Sequence, residues 1–337
     1  MRGWVSLKPS KILRPIAMQI EIDTMEEMAA VSSLRKEARS ILLRHAEEDQ
    51  LTRNALPGLH LMRFGWASRP LVTVQSMRCM ALVLQGVKTL DFGTTHLEYG
   101  AGQFLLSSID MPSTSRILNA TGRSPLLALA VEIDFEELKQ VIGRCDTLPA
   151  SRPQSAIDVF DADPDLLAAV IRLLRLLDTP EHAAALTPLI RQEILYRLLS
   201  GPSGSRLLEI SRHNSPSHRI SRALTWLQKQ FTKGFMVDDL ARHVGMSPSS
   251  FHQHFKAMTG MTPIQYQRRI RLHEARKLLL VDSLGVGEAS YRVGYQSPSQ
   301  FTKDYRQCFS RLPKDDVLAH ATERCTFTGY SPEMSLR

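Results

Sequence analysis

The last third of the chain contains one short pattern twice, and this repeat restricts the possible folds more than any other feature. Residues 245–256 read GMSPSSFHQHFK, and residues 294–306 read GYQSPSQFTKDYR. Each copy has a glycine, then Ser-Pro, then an aromatic residue three positions after the proline and a second one four positions later. The repeat therefore predicts two small structural units of the same kind on one chain.

The first copy has the residues that a helix, a tight turn and a second helix require. Residues 237–244 carry apolar side chains at helical spacing, and Gly245 can adopt the positive φ of a tight turn. Ser247 is a favourable N-cap, and Pro248 suits the first helical position, where its missing N–H would be unpaired anyway. The second helix is expected to bury Phe251, Phe255 and Met258. We interpret the copy as a helix-turn-helix, whose second helix enters the major groove of DNA.

The second copy follows the same logic, and a long helix joins the two units. Residues 286–293 form the first helix, Gly294 provides the turn, and Ser297 opens the second helix. Between the copies, a helix is predicted over about residues 263–280, which is roughly 27 Å at 1.5 Å per residue. A connector of this length can hold two reading helices about 34 Å apart, the repeat of B-DNA.

The second helix of each unit has polar side chains, none of them acidic, on its outer face. We predict that this face binds DNA. The candidate residues are Ser249, Ser250, His252, Gln253 and Lys256 in the first unit, and Ser299, Gln300, Thr302, Lys303 and Arg306 in the second.

The roles within this set differ. His252 and Gln253 are the best candidates for reading bases, whereas Gln300 lies three residues after Ser297 and can equally close a capping box. The lysines and Arg306 can bind phosphate instead, which raises affinity without selecting a sequence. The arginines of the connecting helix are expected to be solvated charges or phosphate contacts.

The excess positive charge lies in the same region as the repeat. Residues 212–320 hold 17 Lys and Arg against 8 Asp and Glu, whereas the rest of the chain holds 25 against 26. This asymmetry favours a polyanionic partner such as nucleic acid.

The first two thirds of the chain have a different distribution of apolar and polar residues. Residues 24–50 predict an amphipathic helix, residues 59–133 contain short apolar runs typical of a small antiparallel barrel or sandwich, and residues 134–199 read as helices. The predicted divisions are an N-terminal extension with an amphipathic helix (1–54), a sensor or dimerisation domain (55–200), a linker (201–218), a DNA-binding domain (219–318) and a C-terminal tail (319–337).

The C-terminal motifs resemble those of a known family. DDLARHVGMSPSSFHQHFKAMTGMTPIQY, RIRLHEARKLLL and VGYQSPSQFTKDYRQCFSRLP are similar to the DNA-binding domain of AraC/XylS-type bacterial transcriptional regulators. The resemblance implies that the second helix of each unit enters adjacent segments of the major groove. The base-reading positions that it implies are Ser249, His252 and Gln253, then Ser299, Gln300 and Lys303.

The N-terminal region resembles the cupin-like sensor domain of a subset of the same family. The matching segments are ALPGLHLMR, ALVLQGVKTLDFG, YGAGQFLLSSIDMP and LLALAVEID. The implied fold class is α+β: a cupin-like β-barrel followed by helices, then an all-α domain with two helix-turn-helix units. The resemblance also implies an unidentified small effector, dimer contacts through the helices after the barrel, promoter DNA as a partner, and contact with RNA polymerase.

The chain departs from the family pattern at three places. Ser310 follows Phe309 where glycine is usual, and Ala289 and Ser290 stand where a large aliphatic residue and an alanine are common. Met236 occupies a helix N-cap position where serine or threonine is usual. These departures predict a thinner core in the second unit and one uncapped helix.

Other function classes find little support in the sequence. The four cysteines are scattered, and no membrane-spanning run or secretion signal is evident, so we expect a cytoplasmic protein. His60 and His96 stand apart, without the H-x-H pair of metal-binding cupins, and no catalytic motif appears in a suitable context. We therefore expect no metal, no cofactor and no catalysis. The alternatives left open are a metal-free cupin enzyme or ligand-binding protein with an accessory DNA-binding domain, and a constitutive DNA-binding protein whose barrel only dimerises.

Overall fold

The computed structural model describes residues 13–66, 71–76, 78–92, 95–109, 111–145, 155–212 and 215–319. The strands are β1 (Gln50–Leu56), β2 (Leu59–Phe64), β3 (Leu71–Ser76), β4 (Cys79–Gln85), β5 (Val87–Phe92), β6 (Thr95–Gly100), β7 (Gln103–Ser107), β8 (Met111–Leu118), β9 (Leu126–Glu132) and β10 (Ile157–Asp161). The helices of the first domain are α1 (Leu13–His45), α2 (Phe135–Ile142), α3 (Pro164–Arg175), α4 (Pro180–Ser200) and α5 (Gly204–Ser211). Those of the second domain are α6 (Pro216–Lys229), α7 (Val237–His243), α8 (Pro248–Thr259), α9 (Pro263–Leu280), α10 (Val286–Arg292) and α11 (Pro298–Phe309).

The first domain is built from two antiparallel sheets. The larger has the strand order β1-β2-β9-β4-β7-β10, and the smaller has the order β3-β8-β5-β6. Along the central strand β4, Met80 and Leu82 pack against the helices, whereas Ala81 and Val83 face the interior between the sheets. Because both faces of this strand are covered, its sequence is continuously apolar instead of alternating. The predicted α+β class, with a β-rich domain followed by helices, is confirmed.

Helices cover the outer face of the larger sheet. Ala38, Ile41 and Leu42 of α1 are buried there, on the stripe that the amphipathic pattern predicts, and α1 also packs against α3. The helix starts at Leu13 and ends at His45, and β1 begins at Gln50 inside the larger sheet. The predicted extension (1–54) therefore includes most of the first strand of the barrel and a helix that belongs to its core. Residues 1–12 of that extension lie outside the described residues.

The segment predicted as a linker (201–218) contains a packed helix. α5 lies within it, and its Leu207, Leu208 and Ile210 are buried. Arg206 is also buried, where it pairs with Asp158 at 3.0 Å. The described part of this segment is therefore packed, with α5 in contact with both α4 and α6. Residues 213–214, and the predicted tail from residue 320 onwards with Cys325, lie outside the described part of the chain.

The second domain contains the two units that the repeat predicts. Gly245 and Gly294 have positive φ values of 74° and 90°, and each directly follows the C-cap residue at the start of a short turn between two helices. The Ser247 hydroxyl accepts from the Ser250 backbone N–H, and the Ser297 hydroxyl accepts from Gln300 N. The connecting helix α9 has a complete capping box between Thr262 and Gln265. The turn glycines and the Ser-Pro and Thr-Pro pairs thus account for both turns and for the starts of α8, α9 and α11.

The departures from the family pattern have visible effects. Ser310 ends α11 in the left-handed region at φ 57°, a conformation that suits glycine better. Met236 precedes α7 without a side-chain cap and is exposed. Ala289 and Ser290 are buried, and the Ser290 hydroxyl donates to the Gly287 carbonyl. The second unit keeps its fold with these less favourable residues.

The two units are fixed to each other where the second turn meets the loop after α6. Arg271 of α9 donates to three backbone carbonyls: those of Phe231 at 2.6 Å, Lys233 at 3.2 Å and Gly294 at 3.1 Å. A β-carbon at Gly294 would overlap the Thr232 carbonyl oxygen. Such backbone proximity requires glycine at this turn and holds the units in one arrangement.

None of the helices in the described ranges is both long and apolar enough to cross a membrane.

The contact at Gly294 predicts different costs for two equivalent glycines. Gly294→Ala adds a backbone overlap to the strain of a positive φ, so it should lower the free energy of unfolding of the C-terminal domain by roughly 3 kcal/mol or more. Gly245→Ala, whose β-carbon would meet only the tip of Arg219, should cost about 1 kcal/mol. Urea unfolding of both variants measures the difference. Equal losses would show that the turn-to-loop contact is not tight.

Candidate nucleic-acid interface

The reading helix of the first unit separates its buried and exposed faces as its sequence predicts. Phe251 and Phe255 are fully buried and pack against each other with ring centroids 5.5 Å apart. On the opposite side, the predicted contacts Ser249, His252, Gln253 and Lys256 are exposed, and Ser250 is half-buried. The structure therefore brings these five side chains together on one solvent-facing surface at α8.

The reading helix of the second unit has the same organisation. Phe301 and Tyr305 are fully buried, with ring centroids 5.5 Å apart. Ser299, Gln300, Lys303 and Arg306 are exposed. Thr302 is half-buried, and its hydroxyl donates to the Pro298 carbonyl at 2.8 Å, so it is less free than its neighbours.

Gln300 does not close the capping box that the sequence allows at the start of α11. Its side-chain nitrogen donates to Asp304 Oδ1 at 2.7 Å, one turn further along the helix, and no capping box forms. Asp304 is buried and also accepts from the Tyr295 hydroxyl at 3.1 Å. The sequence pattern did not identify this acid, because a single aspartate in a helix gives no sign of its burial.

The arginines of α9 differ from the prediction of solvated charges or phosphate contacts. Arg271 joins the two units through backbone carbonyls, and Arg276 is buried and pairs with Asp316 at 3.0 Å. Arg268 remains half exposed and lies 3.4 Å from Asp304. Much of the positive charge on the connecting helix is therefore used to hold the domain together, whereas Lys256, Lys303 and Arg306 of the reading helices are exposed.

A buried histidine lies among these arginines. Burial, together with Arg269 and Arg276, lowers the pKa of His273 to about 3, so the ring stays neutral near neutral pH. It packs edge-on against Phe309 with ring centroids 5.3 Å apart. His273 is therefore a structural element of the second unit.

The comparison with known families agrees with this arrangement. The profile described as the AraC-type transcriptional regulator N-terminus matches residues 55–206, and a helix-turn-helix domain profile matches residues 240–316. Together the two profiles match more than half of the chain. The chain belongs to the AraC family of transcriptional regulators.

Curated AraC-family relatives cover only part of the chain. HTH-type transcriptional regulator ExsA of Pseudomonas aeruginosa is 29% identical over 191 residues, which are 55% of this chain and 66% of ExsA. HTH-type transcriptional activator RhaS of Escherichia coli is 29% identical over 150 residues, 44% of this chain and 54% of RhaS. The chain thus matches two thirds or less of the length of these relatives.

Solved structures extend the likeness in fold to both domains. A single-residue variant of ToxT from Vibrio cholerae, in its apo form, aligns with a TM-score of 0.52 over 77% of this chain and 97% of ToxT, at 8% identity. Wild-type ToxT bound to an unsaturated fatty acid aligns with a TM-score of 0.51 over 77% and 94% of the two chains, at 7% identity. At these identities the likeness concerns the fold alone.

The barrel of this AraC-family chain contains a buried lysine. Lys88 on β5 is only 8% exposed, and its amine contacts Met62 Sδ at 3.6 Å. In register with it on the neighbouring strands are Tyr99 and Ile117, both buried. Burial lowers the pKa of the Lys88 amine to about 8. No local sequence signal marks Lys88 as buried, because its strand β5 has an ordinary mixture of apolar and polar residues.

The two histidines of the barrel each pair with one carboxylate. His60 is buried and lies 2.7 Å from Glu132, and His96 is exposed and lies 2.6 Å from Asp91. In the described part of the chain, no group of three or more His, Cys, Asp or Glu side chains is arranged to hold a metal ion.

Among the described residues, the barrel touches the DNA-binding domain at α9 and near the end of α8. The connecting helix α9 packs against strands β3 and β8, and Ala156 N donates to the carbonyl of Met258 at 3.3 Å, near the end of α8. One cluster of buried apolar residues runs from the barrel interior into the core of the first unit. The element that carries both units is therefore in direct contact with the barrel.

Lys88 predicts a pH-dependent stability. Between pH 8 and 10.5 the unfolded chain binds the Lys88 proton more fully than the folded chain, so folding gains stability as the pH rises through this window. Lys88→Met should therefore stabilise the protein at pH 7 by about 2 kcal/mol, and the gain should shrink toward pH ~10. Urea midpoints at both pH values measure it, with the exposed Lys139→Met as the control. A gain that is constant with pH would contradict a buried, uncompensated amine.

Proposed function

We propose that this chain is a sequence-specific regulator of transcription that binds double-stranded promoter DNA through both helix-turn-helix units. The observation that supports it is the pair of exposed polar faces on α8 and α11, held in one arrangement by Arg271 and by the close approach of Gly294 to Thr232. Two readers fixed in this way lose little orientational freedom when they bind. In this proposal the protein acts in the cytoplasm, contacts RNA polymerase at the promoter, and has no catalytic activity.

The predicted contacts divide by chemistry. His252 and Gln253 offer hydrogen bonds to base edges in the first half of the site, and Ser299 and Gln300 offer them in the second. Lys256, Lys303 and Arg306 are exposed cations suited to phosphate, and they supply affinity that falls with salt. Ser249, Ser250 and Thr302 complete the two surfaces through their hydroxyl groups.

We further propose that the chain forms a homodimer through α4. Three large apolar side chains on this helix are exposed: Leu186, Leu189 and Tyr196. Their spacing of three and seven residues places them on one face, opposite Ile194 and Leu198, which are buried in the barrel domain. A second copy of the same helix would cover such a stripe by a symmetric contact.

The barrel is the proposed site of effector control. ToxT, which shares this fold, is known with an unsaturated fatty acid bound. In this chain, a small effector inside the barrel would act on β3 and β8, and these strands contact α9. Effector binding would then shift the population of conformations in which both units can engage DNA.

Footprinting of the full chain on the DNA upstream of its own gene, with and without candidate metabolites, tests the proposal. In the same assay, Gln253→Ala should relax base preference at one position within one half of the site, with a loss of about 1–3 kcal/mol on the preferred base. Lys256→Ala is the matched control, because losing a phosphate contact weakens binding evenly across sequences and reduces its salt dependence. An equal loss on every sequence for Gln253→Ala would contradict its role as a base reader.

The dimer proposal has its own test. Leu189→Glu places a charge at the most exposed position of the apolar stripe, so the solution mass by light scattering should fall from two chains to one. Val281→Glu, at an apolar position next to the end of α9 that is at least as exposed, should leave the mass unchanged. A wild-type chain that is already monomeric at micromolar concentration would contradict the dimer.

A further inference from the structure

A buried acid on the second reading helix controls the side chain beside it. Asp304 is only 5% exposed, although it lies on α11, whose outer face carries the predicted DNA contacts. An ionised carboxylate in such a place requires hydrogen-bond donors. Among the described residues, it accepts hydrogen bonds from the Tyr295 hydroxyl at 3.1 Å and from the side-chain amide of Gln300 at 2.7 Å, and it forms an ion pair with Arg268 Nε at 3.4 Å.

The chemistry of this contact fixes which end of the Gln300 amide faces inward. A carboxylate held by an arginine and a tyrosine hydroxyl is an acceptor only, so the Gln300 nitrogen must point toward it and the amide cannot turn over. The carbonyl oxygen Oε1 then points away from Asp304. Among the described residues, no group donates a hydrogen bond to this oxygen.

A second glutamine in the domain shows that a glutamine three residues after a helix N-cap does not always direct its amide nitrogen inward. Gln265 also lies three residues after a hydroxyl N-cap, but its Oε1 accepts from the Thr262 backbone N–H at 2.9 Å and closes a capping box. At Gln300 the corresponding oxygen remains available. Since Gln300 is exposed in the first turn of the reading helix, this oxygen lies where base edges are approached.

We propose that Asp304 is a positioning residue that presents the Gln300 carbonyl oxygen to the major groove, and that Gln300 thereby selects a base with an exposed amino group. Such groups are N6 of adenine and N4 of cytosine. Guanine O6 and thymine O4 are acceptors, so they cannot form a hydrogen bond with the Gln300 carbonyl oxygen. The inference rests on the proposed function. It names the chemical group through which one of the proposed DNA contacts distinguishes between bases.

The test begins with the full-length chain and duplexes selected from a randomised pool. Gln300→Ala, at an exposed position, identifies the base pair that depends on Gln300. At that pair, replacing adenine by purine, or cytosine by 2-pyrimidinone, removes the amino group and should weaken wild-type binding about fivefold. Replacing the paired thymine by an analogue without O4, or the paired guanine by one without O6, should leave binding unchanged. In Gln300→Ala neither replacement should matter.

Asp304→Asn then tests the positioning role. An asparagine can donate as well as accept, so the Gln300 amide is free to turn, and the roughly fivefold penalty for purine should fall below about twofold. Asp316→Asn is the matched control: Asp316 is equally buried and is bonded to Tyr305 and Arg276, but to none of the predicted readers. Its penalty for purine should stay at the wild-type value.

Several results would overturn the inference. It fails if the thymine analogue weakens binding and purine does not, or if Gln300→Ala keeps the penalty for purine. It also fails if Asp304→Asn weakens binding to all duplexes evenly and keeps the penalty for purine, as Asp316→Asn is expected to do. If Asp304→Asn does not fold, the base analogues with the wild type and Gln300→Ala still decide whether an amino group is read. A wild-type chain without any sequence preference would instead overturn the proposed function itself.

Discussion

The structure of the DNA-binding domain depends on the contact between the second turn and the loop that follows α6. Gly294 lies so close to Thr232 that no side chain fits, and the Arg271 guanidinium binds carbonyl groups from both sides of this junction. A guanidinium can satisfy several backbone acceptors at once because its donors are spread in one plane. The relative position of the two reading helices is therefore set by backbone contacts as well as by the length of the connecting helix.

Much of the second domain could be predicted because its signals are local. Turn glycines, Ser-Pro helix starts and apolar spacing act within a few residues, and they placed Gly245, Gly294 and the span of α9 correctly. The outward side chains of α8 and α11 followed from the same periodicity. The base-reading roles of those residues remain predictions, because the isolated chain shows which side chains are exposed and not which bases they meet.

The strands and contacts that escaped prediction depend on distant partners. β8 contains Pro112 and several hydroxyl residues, and β10 is short and acidic, so neither resembles a strand until it pairs with its neighbours. α4 passes through Pro188, because the helix had already started at Pro180 and loses only one backbone hydrogen bond there. The burial of Lys88 and Asp304 likewise reflects which segments pack over them, and no local pattern records this.

The apolar cores of the two reading units are connected to the rest of the protein in different ways. The first unit shares one continuous cluster with the barrel interior, whereas the second has a separate small core built on Phe301, Tyr305 and Leu279. Residues that share a core lose their structure together, and residues with separate cores can open alone. One half of the predicted DNA-binding surface therefore shares an apolar core with the barrel, whereas the other half rests on a core that can lose its structure separately.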